Sequence, residues 1–357
     1  MLAIAVLTAW APPSAAAPTA LAKPNIVVIS LDTVRADHLG IYGYRRRTSP
    51  NITRLALRSS VFDRAYSATP WTLGSFAALW TSQLPSVAGI FDWGNHLKPP
   101  AVTLAEILRS AGYETHAVVS CDGLQRNGIE QGFDVFDDSL NDRLDAYAAL
   151  TSRDVTDAGI RALNRERRRP IFLWLHYFDP HEKYLDHPEF AFGSAEIDLY
   201  DEEIASTDFH IGLLIDFMLE KGLFRNTIIV LHADHGEEFG EHGGSRHAMT
   251  LYEEVVRVPL IIYVPERAPD RVKGLVSLVD VAPTLLSLAG VEIPSSFRGR
   301  TMSGARRTFR SAEKRYGLSG KLRERPLSPR LGRRAVQADL RLRGQGRCPI
   351  RHRIRPW

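Results

Sequence analysis

The sequence predicts an α/β protein whose sheet is mostly parallel and flanked by helices on both faces. Short apolar runs rich in β-branched residues alternate with segments of helical periodicity, as in parallel sheets with crossover helices. Polar residues that can bind metals or anions directly follow three of these runs, where open α/β sheets place their ligand sites. The chain has 357 residues, 44% of them hydrophobic, which suffices for one large domain or two smaller ones.

The predicted elements alternate along residues 24–300. The apolar runs that predict buried strands are Asn25–Leu31, Thr115–Ser120, Pro170–Phe178, Thr227–Leu231 and Val258–Val264. The periodic segments that predict helices are Pro50–Ser59, Gly74–Trp80, Thr103–Gly112, Leu144–Arg165, Tyr200–Lys221 and Val276–Ala289. Local signals mark their ends, because Pro50 and Pro283 suit a first helical position, Thr103 suits an N-cap and Gly112 a C-terminal stop.

Residues 1–23 resemble a signal peptide. They contain the apolar run Leu2–Trp10 and the small-residue string Pro13–Ala17, although a charged n-region is absent. We therefore expect export to the periplasm or the extracellular space. The run is too short to cross a bilayer, so no transmembrane helix is expected.

The last segment, Thr301–Trp357, is strongly basic. It holds 15 Arg and 2 Lys against three acidic residues, a net charge of +14 in a chain whose total is +4. Such a tail can bind nucleic acid. Scattered Pro and Gly, few aromatics and no amphipathic period instead favour disorder, and an out-of-frame continuation of a truncated gene is the other interpretation. No nucleic-acid partner is expected, and the two cysteines, Cys121 and Cys348, exclude a disulfide framework.

Residues 231–247 predict a metal-dependent active site. Asp234 and His235 follow a buried run, and Gly236 lets the backbone turn sharply after them. Further acids and imidazoles follow, at Glu237, Glu238, Glu241, His242 and His247. Asp32, which ends the first run, is a second candidate for a hard metal ligand. The alternatives are a charged loop and an N-cap aspartate.

Three further polar residues are candidates for anion chemistry. Arg35 can pair with an anionic substrate or form a surface salt bridge. His181 can act as a general acid or hold an anionic oxygen, or be an ordinary loop histidine. A threonine hydroxyl at the start of the helix after Ser67–Trp71 suits a nucleophile, because free helical N–H groups lie beside it, or serves as a plain N-cap.

Five segments, in this order, resemble the sulfatase-like branch of the alkaline phosphatase superfamily over about residues 24–300. They are Asp32–Tyr44, Thr69–Ser75, His176–His181, Asp234–Gly243 and Leu251–Leu260. The resemblance implies an alkaline-phosphatase-like fold. It also implies a divalent metal ion (Ca, Mn, Mg or Zn) held by Asp32, Asp234 and His235, with the oxygen of the nucleophile as a further ligand.

The family's nucleophile lies in a Cys/Ser-x-Pro-x-Arg motif and is converted to formylglycine. The corresponding position here is Thr72, with Gly74 in place of the Pro and Phe76 in place of the Arg. Threonine cannot become formylglycine, so the chain is closer to members with a direct Thr nucleophile. Those members act on phosphoesters or transfer phospho-headgroups.

The remaining roles follow from the same resemblance. His181 or His247 is expected to protonate the leaving alcohol, and both are expected to bind the anionic group together with Arg35. His247 occupies the place of an anion-binding Lys in many sulfatases. Asp179, His181 and His247 offer a second metal set, but one metal is favoured.

The expected function is hydrolysis of sulfate or phosphate esters through a covalent intermediate on Thr72. The substrate is expected to be an anionic ester, namely a sulfated or phosphorylated glycan, lipid or small molecule. The alternatives are a phospho-headgroup transferase and a truncated, non-catalytic remnant. The last alternative arises because Thr301–Trp357 lacks the strand pattern of the family's C-terminal subdomain, which we expect to be missing or replaced by a disordered basic tail.

Overall fold

The structure, a computed structural model, describes residues 23–121, 124–141 and 150–302. Its strands are β1 (Asn25–Leu31), β2 (Ser60–Tyr66), β3 (Glu114–Val118), β4 (Val135–Asp137), β5 (Ile171–Tyr177), β6 (Thr227–Ala233), β7 (Glu238–Phe239), β8 (Ser245–Arg246), β9 (Arg257–Val258), β10 (Leu260–Tyr263) and β11 (Asp270–Ser277). Its α-helices are α1 (Pro50–Ala56), α2 (Thr72–Thr81), α3 (Pro85–Ala88), α4 (Leu104–Ser110), α5 (Ser152–Asn164), α6 (Glu196–Glu220), α7 (Glu253–Val256) and α8 (Val281–Leu288). The predicted signal peptide and the basic tail lie almost entirely outside the described residues.

Nine strands form one sheet in the order β11-β2-β10-β6-β1-β5-β3-β4, with β9 paired to β2. The central strand β1 runs parallel to both of its neighbours, β5 and β6. The strand β10 runs antiparallel to β6 and β2, and β9 runs antiparallel to β2. All other pairs in this sheet are parallel. The prediction of a mostly parallel sheet is therefore confirmed.

Helices cover both faces of the sheet. Successive side chains of β5 point to opposite faces. Trp174 lies against Phe76 of α2, with ring centroids 4.8 Å apart. The next residue, Leu175, faces α5, because a methyl group built on Gly159 would lie 2.8 Å from its Cδ1 atom. Burial on both faces explains why β5 and β6 are continuous apolar runs rather than alternating ones.

Most predicted elements are present, with two corrections. The helix predicted over Leu144–Arg165 begins at Ser152 in the described part, and residues 142–149 lie outside it. The segment Val276–Ala289 is not one helix opened by Pro283. The strand β11 continues to Ser277, whose N–H donates to Asp280 Oδ2 at 3.1 Å, and α8 begins after this turn with Pro283 as its third residue.

The strands β2 and β11 have no counterpart in the sequence prediction. β2 carries Asp63 and Arg64 in its centre, which breaks the apolar pattern of a buried strand. Asp63 forms an ion pair with Arg271 of β11 at 2.6 Å. The backbone oxygen of Asp63 accepts hydrogen bonds from the Arg257 guanidinium. Because these partners lie about two hundred residues away in sequence, local patterns do not reveal the strand. None of the described helices is long and apolar enough to cross a membrane.

Candidate active site

The carboxyl ends of β1 and β6 bring the predicted metal ligands together. Asp32 directly follows β1, and Asp234 follows β6. The Asp234 N–H donates to the backbone oxygen of Leu31 at 3.2 Å, which holds the two strand ends side by side. Parallel neighbouring strands end at the same edge of a sheet, so their following residues meet there.

Asp32, Asp234 and His235 form one buried cluster, in which one ligand atom from each residue lies within 4.8 Å of the others. All three side chains are fully buried. His235 Nε2 lies 3.4 Å from Asp234 Oδ2 and 3.9 Å from Asp32 Oδ1. The arrangement presents two carboxylates and one imidazole to a common point, as a divalent metal ion requires.

The carboxylates in this cluster fit a bound cation. Within the described part of the chain, both oxygens of Asp32 and the Oδ2 atom of Asp234 are buried without a hydrogen-bond partner. Buried carboxylate oxygens are normally satisfied by hydrogen bonds, so these three oxygens, next to the His235 imidazole, fit a cation site. Among the described residues, no backbone N–H donates to the Asp32 carboxylate, which argues against the N-cap alternative.

Burial sets the protonation of these groups when no cation is present. It raises the pKa of Asp32 to about 6 and raises the pKa of Asp234 well above 3.8, where the charge of Asp32 adds to the effect. Burial lowers the pKa of His235 well below 6.5, so that its imidazole is neutral and able to bind a metal.

Backbone strain lies next to the cluster. Thr33 has a φ of 56°, in the left-handed region that β-branched residues rarely adopt. Its N–H donates to Asp234 Oδ1 at 3.2 Å, and its hydroxyl donates to the backbone oxygen of Pro180 at 2.7 Å. These bonds hold the strained turn and connect the ends of all three central strands. Such strain is typical of functional sites.

Thr72, the residue that the resemblance assigns as nucleophile, lies beside His235 of this cluster. It is the first residue of α2, and its side chain is 3% exposed. Its Oγ1 atom is 3.2 Å from His235 Nε2. The N-cap residue is Trp71 and makes no side-chain cap bond, so Thr72 is not a plain N-cap. The free N–H groups of the first turn therefore lie beside a hydroxyl that adjoins the candidate metal ligands.

The two departures from the family motif have distinct structural settings. At Gly74 a methyl group would lie 2.8 Å from the Trp71 ring, so the close packing of that indole over the helix requires glycine. Phe76 is fully buried, edge-on to the His176 ring at 5.1 Å. An apolar ring thus fills the position where the family motif has a cation.

His181 and His247 lie together beside this cluster. Their ring centroids are 4.9 Å apart, and the His247 ring is 4.5 Å from that of His235. Burial lowers the pKa of His181 below 6.5. Burial also acts to lower the pKa of His247, but the hydrogen bond and the charge of Glu237 outweigh it and leave that pKa raised. The site therefore holds two imidazoles with opposite protonation preferences.

Arg35 is brought to the same region, but its guanidinium is occupied. It pairs with Asp37 at 2.9 Å and with Glu241, and it donates to the backbone oxygen of Glu237 at 3.2 Å. These contacts tie the turn after β1 to the loop after β6. A role for Arg35 in substrate binding stays a prediction.

Asp179 does not face the candidate metal site. Its Oδ1 atom accepts bonds from the N–H and the hydroxyl of Thr151 at 2.7 Å, and its Oδ2 atom accepts from the Ser152 N–H at 2.9 Å. Asp179 therefore stabilises the N-terminus of α5. This geometry disfavours the second metal set that included it.

Two residues near the site were given no role by the sequence. His176 is fully buried, and its Nε2 atom is 3.2 Å from Asp32 Oδ2. A lone histidine within the apolar run of β5 was the available signal for it. Glu237 is also fully buried and contacts His247. Its position directly after the Asp-His-Gly turn did not distinguish it from the neighbouring acids.

Comparisons with known proteins assign most of the chain to one family. The family model described as Sulfatase matches residues 24–291. The chain is 27% identical over 331 residues to an ulvan-active sulfatase of Formosa agariphila, covering 79% of this chain and 64% of that protein. The chain thus spans slightly less than two thirds of this relative.

Solved structures show the same fold. The structure of Ps i-CgsB in complex with k-i-k-neocarrahexaose superposes with a TM-score of 0.68 at 22% identity, covering 78% of this chain and 75% of that one. A protein in the alkaline phosphatase superfamily from Vibrio parahaemolyticus superposes with a TM-score of 0.65 at 18% identity, covering 79% and 70%. With a family match over three quarters of its length and the buried cluster at the expected sheet edge, the chain belongs to the sulfatase family.

Proposed function

We propose that the protein is a metal-dependent hydrolase of sulfate or phosphate esters that forms a covalent intermediate on Thr72. One observation carries the proposal. The Thr72 hydroxyl lies 3.2 Å from His235 Nε2, in a cluster whose buried carboxylate oxygens lack partners. The sulfatase relative favours an ester hydrolase.

Asp32, Asp234 and His235 are the residues that would hold the metal ion. Two carboxylates suit Ca, Mg or Mn, and the imidazole also suits Mn or Zn. When bound, the ion would lower the pKa of the Thr72 hydroxyl and offset negative charge on the transferring group.

The reaction then needs only two displacements at the sulfur or phosphorus atom. Thr72 Oγ1 attacks this atom as its proton passes to bulk water, and the bond to the alcohol oxygen breaks. The leaving oxygen takes a proton from a histidine. Water next attacks the sulfur or phosphorus atom of the threonine ester, the bond from this atom to Oγ1 breaks, and Oγ1 takes up a proton from solvent as sulfate or phosphate is released. The N–H groups at the start of α2 stabilise charge on the transferring oxygens in both steps.

His247 is the better candidate for the proton donor. Its pKa is raised, while that of His181 is lowered, so His247 carries a proton at a higher pH. We propose that His181 binds an oxygen of the anionic group. Its ring centroid lies 4.9 Å from that of His247, so both imidazoles can contact one substrate. Arg35 is retained as a contact for the anionic group at the edge of the site.

The proposed substrate is a sulfated or phosphorylated glycan, lipid or small molecule. Export to the periplasm or the extracellular space is proposed with it, on the basis of residues 1–23.

Hydrolysis by the full chain tests the proposal. Turnover of an aryl sulfate, an aryl phosphate and a bis-aryl phosphodiester would be measured with each of the four metals added to chelator-treated protein. Loss of the nucleophile in Thr72→Ala should reduce kcat by roughly 10⁴-fold or more. Asp234→Asn, which removes a proposed metal ligand, should abolish activity with every metal added. Thr53→Ala, which removes a half-buried threonine hydroxyl from α1, serves as the matched control.

The outcomes separate the three functions. Turnover that disappears in Thr72→Ala supports the hydrolase and identifies the ester class. Product that forms only when an alcohol acceptor is added supports the phospho-headgroup transferase. A folded, metal-loaded protein without either activity supports the non-catalytic remnant and contradicts the proposal.

A further inference from the structure

Glu237 is a buried carboxylate with both oxygens engaged beside the candidate active site. Its side chain is fully buried. Its Oε1 atom accepts a hydrogen bond from His247 Nδ1 at 3.1 Å, and its Oε2 atom accepts one from the Tyr184 hydroxyl at 2.9 Å. Burying a carboxylate without hydrogen-bonding partners destabilises the folded state, so the contacts with His247 and Tyr184 stabilise Glu237 in this position. Its rotamer is consequently held from two directions.

The backbone around His247 is also held in place. The two flanking residues, Arg246 and Ala248, have φ values of 75° and 69°, in the left-handed region. The Ala248 N–H donates to the backbone oxygen of Pro70 at 2.8 Å, just before α2. Arg246 pairs with Glu182 at 2.5 Å. A strained segment held by contacts on both sides is typical of a residue whose position matters for function.

Glu237 is not part of the candidate metal cluster. In the described part of the chain, the group of ligand atoms within 4.8 Å that contains Asp234 consists only of Asp32, Asp234 and His235. Both Glu237 oxygens are instead directed to Tyr184 and His247. The Glu237 carboxylate is therefore a hydrogen-bonding partner of the His247 imidazole and not a candidate metal ligand.

We propose that Glu237 is a positioning residue that fixes the tautomer and ring orientation of His247. By accepting a hydrogen bond from Nδ1–H, it leaves Nε2 as the nitrogen that exchanges a proton with the substrate. Tyr184 holds the carboxylate in the required rotamer. This inference rests on the proposed function, because it gives His247 the role of proton donor to the leaving alcohol.

Protons balance through this pair of residues. As the bond between sulfur or phosphorus and the alcohol oxygen breaks, the Nε2 proton of His247 moves to that oxygen. The imidazole becomes neutral and keeps its Nδ1 proton, which stays hydrogen-bonded to Glu237. When water attacks the threonine ester, Nε2 takes up one proton of the water. Glu237 accepts the hydrogen bond from Nδ1–H in both steps and transfers no proton itself.

Leaving-group dependence tests the proposal. We would compare wild type with Glu237→Gln on two esters of the class that turns over, one with a 4-nitrophenyl and one with a phenyl leaving group. The phenolate needs protonation much more than 4-nitrophenolate does. We expect kcat/KM for the phenyl ester to fall about 100-fold and kcat/KM for the 4-nitrophenyl ester to fall less than about 5-fold, because kcat/KM reports the step in which the leaving group departs and not the later attack of water.

Two further variants sharpen this test. His247→Gln should reproduce the same selective loss, and the double variant should be no slower than His247→Gln alone, because the two residues act as one unit. Glu238→Gln is the matched control, since Glu238 is also buried and hydrogen-bonded but contacts Gly244 and Thr250 instead. It should keep the wild-type ratio between the two esters. Equal slowing of both esters by Glu237→Gln, or a multiplicative double variant, would overturn the inference.

A readout independent of turnover separates this inference from the proposed function. Nitrogen-15 NMR of the histidine rings in magnesium-loaded protein reports which nitrogen of His247 carries a proton, with the signals identified by their loss in His247→Gln. At a pH high enough for the His247 ring to be neutral, we expect its proton on Nδ1 in wild type and loss of this preference in Glu237→Gln. An unchanged His247 spectrum in that variant would overturn the positioning role. Activity retained in Thr72→Ala would instead overturn the proposed function alone.

Discussion

The hydroxyl of Ser75 donates a hydrogen bond of 2.8 Å to the backbone oxygen of Asp234. Ser75 lies one turn along α2 from Thr72, and its own oxygen accepts a bond from the Ser67 hydroxyl at 3.1 Å. The bond therefore connects the helix that carries the proposed nucleophile to the strand end that carries the proposed metal ligands. The distance between nucleophile and metal site depends on this connection.

Ser75→Ala should accordingly impair activity more than stability. Removing the hydroxyl leaves a buried carbonyl without a donor, which should cost about 1–2 kcal/mol of unfolding free energy. The small displacement of α2 should lower kcat by roughly 10- to 100-fold. The free energy of unfolding would be measured by denaturant unfolding, and kcat by the ester assay.

Ser82→Ala is the matched control for that prediction. The Ser82 hydroxyl donates to the backbone oxygen of Val279 at 2.8 Å, at the opposite end of α2. We expect a similar loss of stability with activity close to wild type. Equal loss of activity in both variants would show that the bond to Asp234 has no special role.

Metal binding should stabilise the folded protein. The unpartnered oxygens of Asp32 and Asp234 repel each other without a cation, and an ion that binds only the folded state adds about 2.7 kcal/mol at a hundred times its Kd. Thermal unfolding of chelator-treated protein should therefore shift to higher temperature as metal is added. Asp32→Asn should remove most of this shift. A shift that persists in Asp32→Asn would place the metal elsewhere.

Acid should destabilise the protein partly through His232. Its ring bridges the Ser30 hydroxyl at 2.8 Å and the backbone oxygen of Ala233 at 2.9 Å, and burial lowers its pKa to about 4. The unfolded state takes up a proton near pH 6.5, whereas the folded state does so only near pH 4. The contribution of His232 to the free energy of unfolding is thus fully present above pH 6.5. It falls by about 3 kcal/mol as the pH decreases from 6.5 to 4.

His232→Gln isolates this effect, because other groups titrate equally in both proteins. The free energy of unfolding would be measured from pH 7 to pH 4 for each protein. Wild type should lose about 3 kcal/mol more than the variant across that range. Parallel curves would contradict the prediction.

Gly236→Ala should damage the site through the backbone. A methyl group at Gly236 would lie 2.0 Å from the backbone oxygen of Glu254, so one of the two segments must move. Such overpacking costs typically about 1–3 kcal/mol, and here it would displace His235 and Glu237 together. Gly94→Ala is the control, since a methyl group there meets nothing within 4 Å. Thermal unfolding and the ester assay would detect both effects.

Much of the fold was readable from local patterns. The strand β1 has the predicted bounds, and Thr103 caps α4 through a capping box with Glu106, because both features depend on neighbouring residues. The strand β2 was not predicted. The charge of Asp63 is matched by Arg271, which the fold brings from a distant part of the chain.

The sequence by itself determined the family, the alternation of strands and helices, and the residues proposed to hold metal, since these depend on motifs and on the rule that strand ends meet. Only the tertiary structure decided how the polar side chains are used. In the fold, Arg35 forms ion pairs with Asp37 and Glu241, and Asp179 accepts hydrogen bonds at the N-terminus of α5. Glu237 is hydrogen-bonded to His247. The physical reason is that a buried charge is defined by its partners in space, and most of these partners lie in other elements of the fold.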